Sequence, residues 1–232
     1  MTDQIIYRKK YDTNDIKMIH ESEVWRYAGY KGTPGLEESR LLSMLEQVKE
    51  ETEPILAYQV CYRRMDITWQ GEKPILPFEQ ASKDLAKCLQ GCDQVVMFAA
   101  TIGMGIDRLI RRNQHGEITK ALLTQALGAE RIEALCDTFC EEMAELLAKE
   151  GRYITPRYSP GYGDLPLEIQ KDLVVILDCY RKAGISLSES LLMTPSKSVT
   201  AVFGVKKDDC FSTGKEEKKC DRCGKRDCQY RQ

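Results

Sequence analysis

The chain has 232 residues, of which 42% are apolar and 30% charged, and its 34 basic and 36 acidic side chains leave a formal net charge of −2. That length supports one large domain with a real core, or one domain with an appendage, and the charge balance excludes wholesale attraction to nucleic acid or to an anionic membrane. Residues 1–10 carry charge without a signal-peptide apolar run, and nothing approaches the roughly 20 apolar residues that span a bilayer, so a cytoplasmic protein with no membrane partner is expected.

In chain order, Glu23 to Tyr30 predicts a short helix stopped near Gly29, and Leu36 to Glu50 a second one, with Leu41, Leu42, Leu45 and Val48 at helical spacing and Pro54 marking its end. Ile55 to Thr68 and Pro74 to Pro77, separated by Gln70-Gly71-Glu72-Lys73, read as a strand pair. Phe78 to Gln90 has helical composition. Gln94 to Thr101 is a nearly continuous apolar run, the pattern of a strand covered on both faces. Ile102-Gly103-Met104-Gly105 turns the chain into a helix starting at Ile106. It lacks the lysine and hydroxyl of a phosphate loop and reads as a plain strand-to-helix turn.

A long helix is expected over Glu117 to Glu150, with Ile132, Leu135, Phe139, Met143 and Leu146 as one stripe and Gly128 as an interruption. Its acidic residues Glu133, Asp137, Glu141 and Glu142 read as a solvated face, with room for one to meet a ligand's ammonium. Asp164 and Pro166 are start signals for a helix over Leu167 to Ala183, closed by Gly184. Ile185 to Leu187 and Ser198 to Val205 complete the strands. Strand pairs mixed with long helices predict an α+β domain over residues 1–205, with a polar tail over 206–232.

Two constellations carry chemistry. The first is Arg157-Tyr158-Ser159-Pro160-Gly161-Tyr162, a stiff turn with one guanidinium and two phenols. Pro160 fixes its own φ, Gly161 admits a close backbone approach, and the Arg157 fork matches a carboxylate or phosphate bidentately. A structural arginine bonded to loop carbonyls fits the same residues equally well. Glu189-Ser190 and the hydroxyl-rich entry Ser196 to Thr200 supply material for a second wall.

The second constellation is Cys210, Cys220, Cys223 and Cys228, spaced Cys-x9-Cys-x2-Cys-x4-Cys. Residues 206–232 have almost no large apolar side chains, so an ordered tail needs a cross-link. Four thiolates suit tetrahedral zinc or an iron–sulfur cluster, and a reduced, unligated tail is the alternative. Without an export signal the ten cysteines are not a disulfide framework. Cys61, Cys88, Cys92, Cys136, Cys140 and Cys179 read as packing residues. Only His20 and His115 offer imidazole, too little for a histidine-rich metal site.

The run Arg157 to Tyr162, the acidic-led helix after it, Gly184 to Ser190, Met193 and Ser198-Val199-Thr200 together resemble the activation domain of cobalamin-dependent methionine synthase. That family's run is similar to Arg-Pro-Ala-Pro-Gly-Tyr, Leu-Thr-Glu-Ser and Ser-Val-Ser-Gly, in the same order and spacing. Weaker similarity reaches back through Phe98 to Thr101 with Gly103 and through the helix around Glu133.

The resemblance implies an α+β fold with a twisted, mostly antiparallel sheet and long helices, and a domain that binds S-adenosylmethionine. Such a domain presents the methyl group to cobalamin on its neighbour after the cobalt has fallen to cob(II), with a flavodoxin or ferredoxin as electron donor. By matching position, Arg157 would clamp the methionine carboxylate, Ser159, Pro160, Gly161 and Tyr162 would line the cofactor, and Glu189 and Ser190 would support the pocket. No side chain is assigned a catalytic role. The family's Gly-Trp-Tyr-Phe stands here as Ala201-Val202-Phe203-Gly204, so a phenol expected near the adenosine is missing.

The expectation is therefore a stand-alone reactivation subunit, a methyltransferase component acting in trans on a corrinoid partner such as methionine synthase. On this view the tail relays an electron if it holds iron–sulfur, or serves as a docking or stabilising knuckle if it holds zinc. The alternative is a non-catalytic metal-binding adaptor that recognises a corrinoid protein.

Overall fold

The structure, a computed structural model, describes residues 5–35 and 38–207. Cys210, Cys220, Cys223 and Cys228, and with them the expected metal site, lie outside the described residues. Among those residues no helix is long and apolar enough to cross a membrane, and no group of three or more His, Cys, Asp or Glu is placed to hold a metal ion.

The centre is a five-stranded sheet in which every neighbouring pair is antiparallel. Its strands are β1 (Tyr7–Tyr11), β2 (Tyr58–Asp66), β5 (Gln94–Thr101), β6 (Tyr153–Ile154) and β9 (Ser198–Lys206), in the order β1-β2-β5-β9-β6. The expected α+β class with an antiparallel sheet is what forms. β5 and β9 are the apolar runs seen in the sequence, and they are buried because both faces of the sheet are covered.

One face packs on α5 (Ile118–Ala148), which at about 1.5 Å per residue runs some 46 Å. Val96, Phe98, Ala100, Ala201, Phe203 and Val205 meet Ile132, Leu135, Phe139, Met143 and Leu147 there. Phe139 sits between Phe98 and Phe203, with ring centroids 4.9 and 6.4 Å away. The alternate residues Val95, Met97, Ala99 and Val202 face α3 (Lys83–Cys88), α6 (Ile169–Ile176) and α7 (Cys179–Ala183). This two-residue alternation is what lets one sheet serve two cores. A third cluster joins α1 (Glu21–Tyr27) and α2 (Ser39–Thr52) to the N-terminal half of α5 through Val24, Trp25, Leu45, Val48, Leu123 and Leu127.

Three expectations change. Of the segment Ile55 to Thr68, only Thr68 at its end pairs with Pro74 to Pro77: β2 joins β1 and β5 in the main sheet, and a separate hairpin forms from β3 (Thr68–Gln70) and β4 (Lys73–Ile75). Gly128 does not interrupt α5. A Cβ there would lie 2.9 Å from Ile106 Cγ2 on α4 (Gly105–Asn113) and 3.1 Å from Lys197 Cε, so the glycine permits close packing rather than a break. The helix expected over 167–183 is two helices, because Asp178 takes a left-handed conformation (φ 48°) between α6 and α7. Gly103 and Gly105 mark a plain turn: a Cβ on either would strike the Ile55 to Ala57 backbone or side chains.

Candidate functional site

The Arg157 turn is hung on β9. β6 pairs Ile154 with Val205, but Tyr158 pairs with Val202, so between those pairs three residues on one side face two on the other. The extra residue makes a bulge, and Pro156, which has no N–H to offer a ladder, sits inside it. On either side of the bulge the bonds are short: Thr155 N–H donates to the Gly204 carbonyl (2.9 Å), Gly204 N–H to Thr155 Oγ1 (2.8 Å), and Tyr158 and Val202 exchange bonds of 2.7 and 2.9 Å. Such a bulge re-aims side chains, and here it turns Arg157 toward α5.

There Arg157 meets two carboxylates one helical turn apart. Its guanidinium donates to Glu133 Oε2 at 2.7 Å and to Asp137 Oδ1. The Arg157 side chain is 13% exposed while Glu133 and Asp137 are 42% and 39% exposed, so the cation is sheltered and the two anions open to solvent. Burial works against the guanidinium's charge, and the anionic groups beside it outweigh that and hold it protonated. Two like charges at i and i+4 repel, and the fork between them offsets the repulsion. A planar guanidinium has five N–H donors, so its bonds to these carboxylates leave others for a ligand.

Sequence reasoning had placed Glu133 and Asp137 on a solvated face. They are indeed open to solvent, and each also forms an ion pair, as do Glu141 with Lys17 and Glu142 with Lys9. Tyr27 of α1 belongs to the same neighbourhood. Burial first, then the Glu133 carboxylate, push its phenol pKa up. Nothing in the local sequence marked that tyrosine.

The rest of the turn is fixed tightly. Pro160 is buried, Ser159 half-buried, Gly161 exposed at φ 88°, and the Tyr162 ring 63% exposed. Gly161 N–H donates to the Leu165 carbonyl (2.9 Å) and Tyr162 N–H to the Ser159 carbonyl (3.2 Å). Glu189 and Ser190 are exposed at the tip of a hairpin formed by β7 (Ser186–Leu187) and β8 (Met193–Thr194). The bonds that organise this tip are its own, such as Ser188 Oγ to Ser190 Oγ at 2.9 Å, with one from Gln170 of α6 to the Leu191 carbonyl at 3.5 Å. The structure thus unites Arg157 with Glu133 and Asp137, and ties the hairpin to α6 through Gln170. Phe203, marked in the sequence as the missing phenol, is fully buried against Phe98 and Phe139 on the α5 side of the sheet.

The domain is an antiparallel sheet closed on one face by a single long helix. It matches the crystal structure of the MetH reactivation domain bound to AdoHcy with a TM-score of 0.63, covering 86% of this chain and 78% of that one at 17% sequence identity, a likeness of fold. Residues 49–223 match the family described as the activation domain of vitamin B12 dependent methionine synthase, and the chain belongs to that family. No curated protein matches it.

Proposed function

We propose that this protein binds S-adenosylmethionine at the Arg157 turn and supports the reductive methylation of cob(II)alamin carried by a corrinoid methyltransferase of the methionine synthase kind. The observation that carries the reading is the charge pattern: one sheltered guanidinium flanked by two open carboxylates. A free amino-acid head group is its complement, with a carboxylate for the Arg157 fork and an ammonium for Glu133 or Asp137. Family membership and the AdoHcy bound by a protein of the same fold support the reading.

In this account Arg157 takes the methionine carboxylate. Ser159, Pro160 and Gly161 present backbone to the ligand, the exposed Tyr162 ring offers its face to the sulfonium, and Glu189-Ser190 supports the far side. Bound S-adenosylmethionine would supply an activated methyl group to the partner's cobalt, with one electron from an external donor such as a flavodoxin or ferredoxin, and would leave as AdoHcy. What the chain contributes is position: it orients the methyl donor by its head group. In the same reading residues 206–232 are an appendage to the domain of residues 1–205, and Cys210, Cys220, Cys223 and Cys228 supply a four-thiolate donor set suited to zinc or iron–sulfur. Visible absorption of anaerobically purified protein separates the two metals.

The functional test is an anaerobic mixture of a cob(II)-loaded methyltransferase, a low-potential reductant, S-adenosylmethionine and this protein, followed by the visible spectrum of the corrinoid. Conversion to the methylated form that depends on the added chain is expected. Conversion at the same rate without it would refute the proposal.

A further inference from the structure

The Arg157 turn ends in Asp164, and this residue does not start the helix that follows it. Its carboxylate crosses to α3, 80 residues earlier, where it accepts from Lys83 N–H (2.8 Å), Asp84 N–H (3.3 Å) and the Ser82 hydroxyl. Ser82 Oγ in turn accepts from Leu85 N–H at 2.9 Å, and Ser82 N–H donates to Gln80 Oε1 at 2.6 Å. The four N–H groups that the start of a helix leaves unpaired are therefore all satisfied, two of them by a side chain that belongs to the turn. Those donors, with the Ser82 hydroxyl first, hold the Asp164 carboxyl below the usual carboxylate range, so it stays ionised at neutral pH.

α3 grips the turn a second time. Asp84 faces the Tyr158 hydroxyl, which is also 3.4 Å from the Tyr162 carbonyl. Gly163 lies between them at φ 52°, where a Cβ would fall on the Tyr158 hydroxyl and 2.5 Å from Asp84 Oδ2. The segment from Ser159 to Gly163 is thus pinned at both ends, by the Tyr158–Val202 bridge on β9 and by Asp164 on α3. α3 itself is fixed to the sheet through Leu85 and Leu89, both fully buried.

We infer that Asp164 is a positioning residue for the ligand site: by capping α3 from the turn, it fixes the backbone of residues 159–163 in the geometry that receives the ligand. The inference rests on the binding role proposed for that turn and extends it to residues that touch no ligand, Asp164, Ser82 and Gly163. The physical content is pre-organisation. A five-residue segment that must be ordered on binding draws its entropy cost from the affinity, and one already ordered does not.

The test combines AdoHcy calorimetry with amide hydrogen exchange on wild type, Asp164→Ala and Asp164→Asn. Asp164→Ala is expected to raise the Kd about tenfold or more and to speed exchange at residues 159–163, with no change at the β5 and β9 amides. Asp164→Asn, which keeps one acceptor oxygen, should recover part of both. An Asp164→Ala protein with wild-type affinity and wild-type exchange at the turn overturns the inference. So does one whose β5 and β9 protection falls along with the turn, since that is loss of fold rather than of position. Absence of AdoHcy binding by the wild type would refute the proposed ligand, and exchange at 159–163 in the unliganded protein would then decide the positioning claim alone.

Discussion

Replacing Arg157 with alanine removes one guanidinium from between two carboxylates, and the consequences for binding and for folding separate. For binding, the loss is a set of charge-assisted hydrogen bonds to the ligand carboxylate, worth about 1.5–3 kcal/mol, or about 10- to 150-fold in Kd. For folding, the ion pairs are half in water: the arginine side chain is 13% exposed, but Glu133 and Asp137 are about 40% exposed. The pair then lies between a solvent-screened bridge and a buried one, about 1–2 kcal/mol, which for a chain of this size lowers Tm by about 2–8 °C. Arg157→Lys keeps the charge and loses the planar fork, so it should recover most of the Tm and little of the affinity. The assay is AdoHcy calorimetry beside a thermal melt of each variant. If Arg157→Ala binds AdoHcy with wild-type affinity, the guanidinium is structural only and the reasoning fails.

Gly204→Ala places a methyl on Cys92 Sγ and 3.0 Å from Leu89 Cδ2, and overpacking of this kind costs about 1–3 kcal/mol. Cys92→Ala should relieve much of that cost, so a urea-unfolding double-mutant cycle is expected to show favourable coupling, and additive losses would contradict the packing argument. Lys197 is 8% exposed with its stem against Gly128, and burial lowers its pKa against the pull of Asp107. A cation whose folded pKa is depressed costs stability below that pKa, and the cost disappears as pH rises toward the unfolded value of about 10.4. Lys197→Met should therefore be more stable than wild type at pH 7, with the gain shrinking as pH approaches that value; a gain independent of pH would show that the charge is not its source.

What the sequence made legible follows how local each signal is. β5 and β9 stood out because burial on both faces leaves continuous apolar runs, and the Arg157 turn because proline, glycine and arginine fall together. β1 did not: Tyr7-Arg8-Lys9-Lys10-Tyr11 is an edge strand, mostly exposed, and its charges protect the edge rather than mark a core. The break at Asp178 depends on a left-handed non-glycine residue that no neighbour announces. Gly128 carries the composition of a break, yet its role comes from Ile106 and Lys197, which lie far off in sequence. Asp164 is the clearest case, since an acidic residue before Pro166 is a good local cap and the helix it caps lies 80 residues upstream. Glu133 and Asp137 are on the surface as read, but their pairing with Arg157 was hidden because that partner arrives from a bulge that only the fold creates.

The central claim is that the turn reads an amino-acid head group on an adenosine thioether. Titrating the protein with AdoHcy and with 5′-methylthioadenosine, which keeps the nucleoside and sulfur but lacks carboxylate and ammonium, tests it most directly. AdoHcy should bind at least about tenfold more tightly, and Arg157→Ala should erase most of the difference. Equal affinity for the two compounds, or no binding of AdoHcy, would contradict the account.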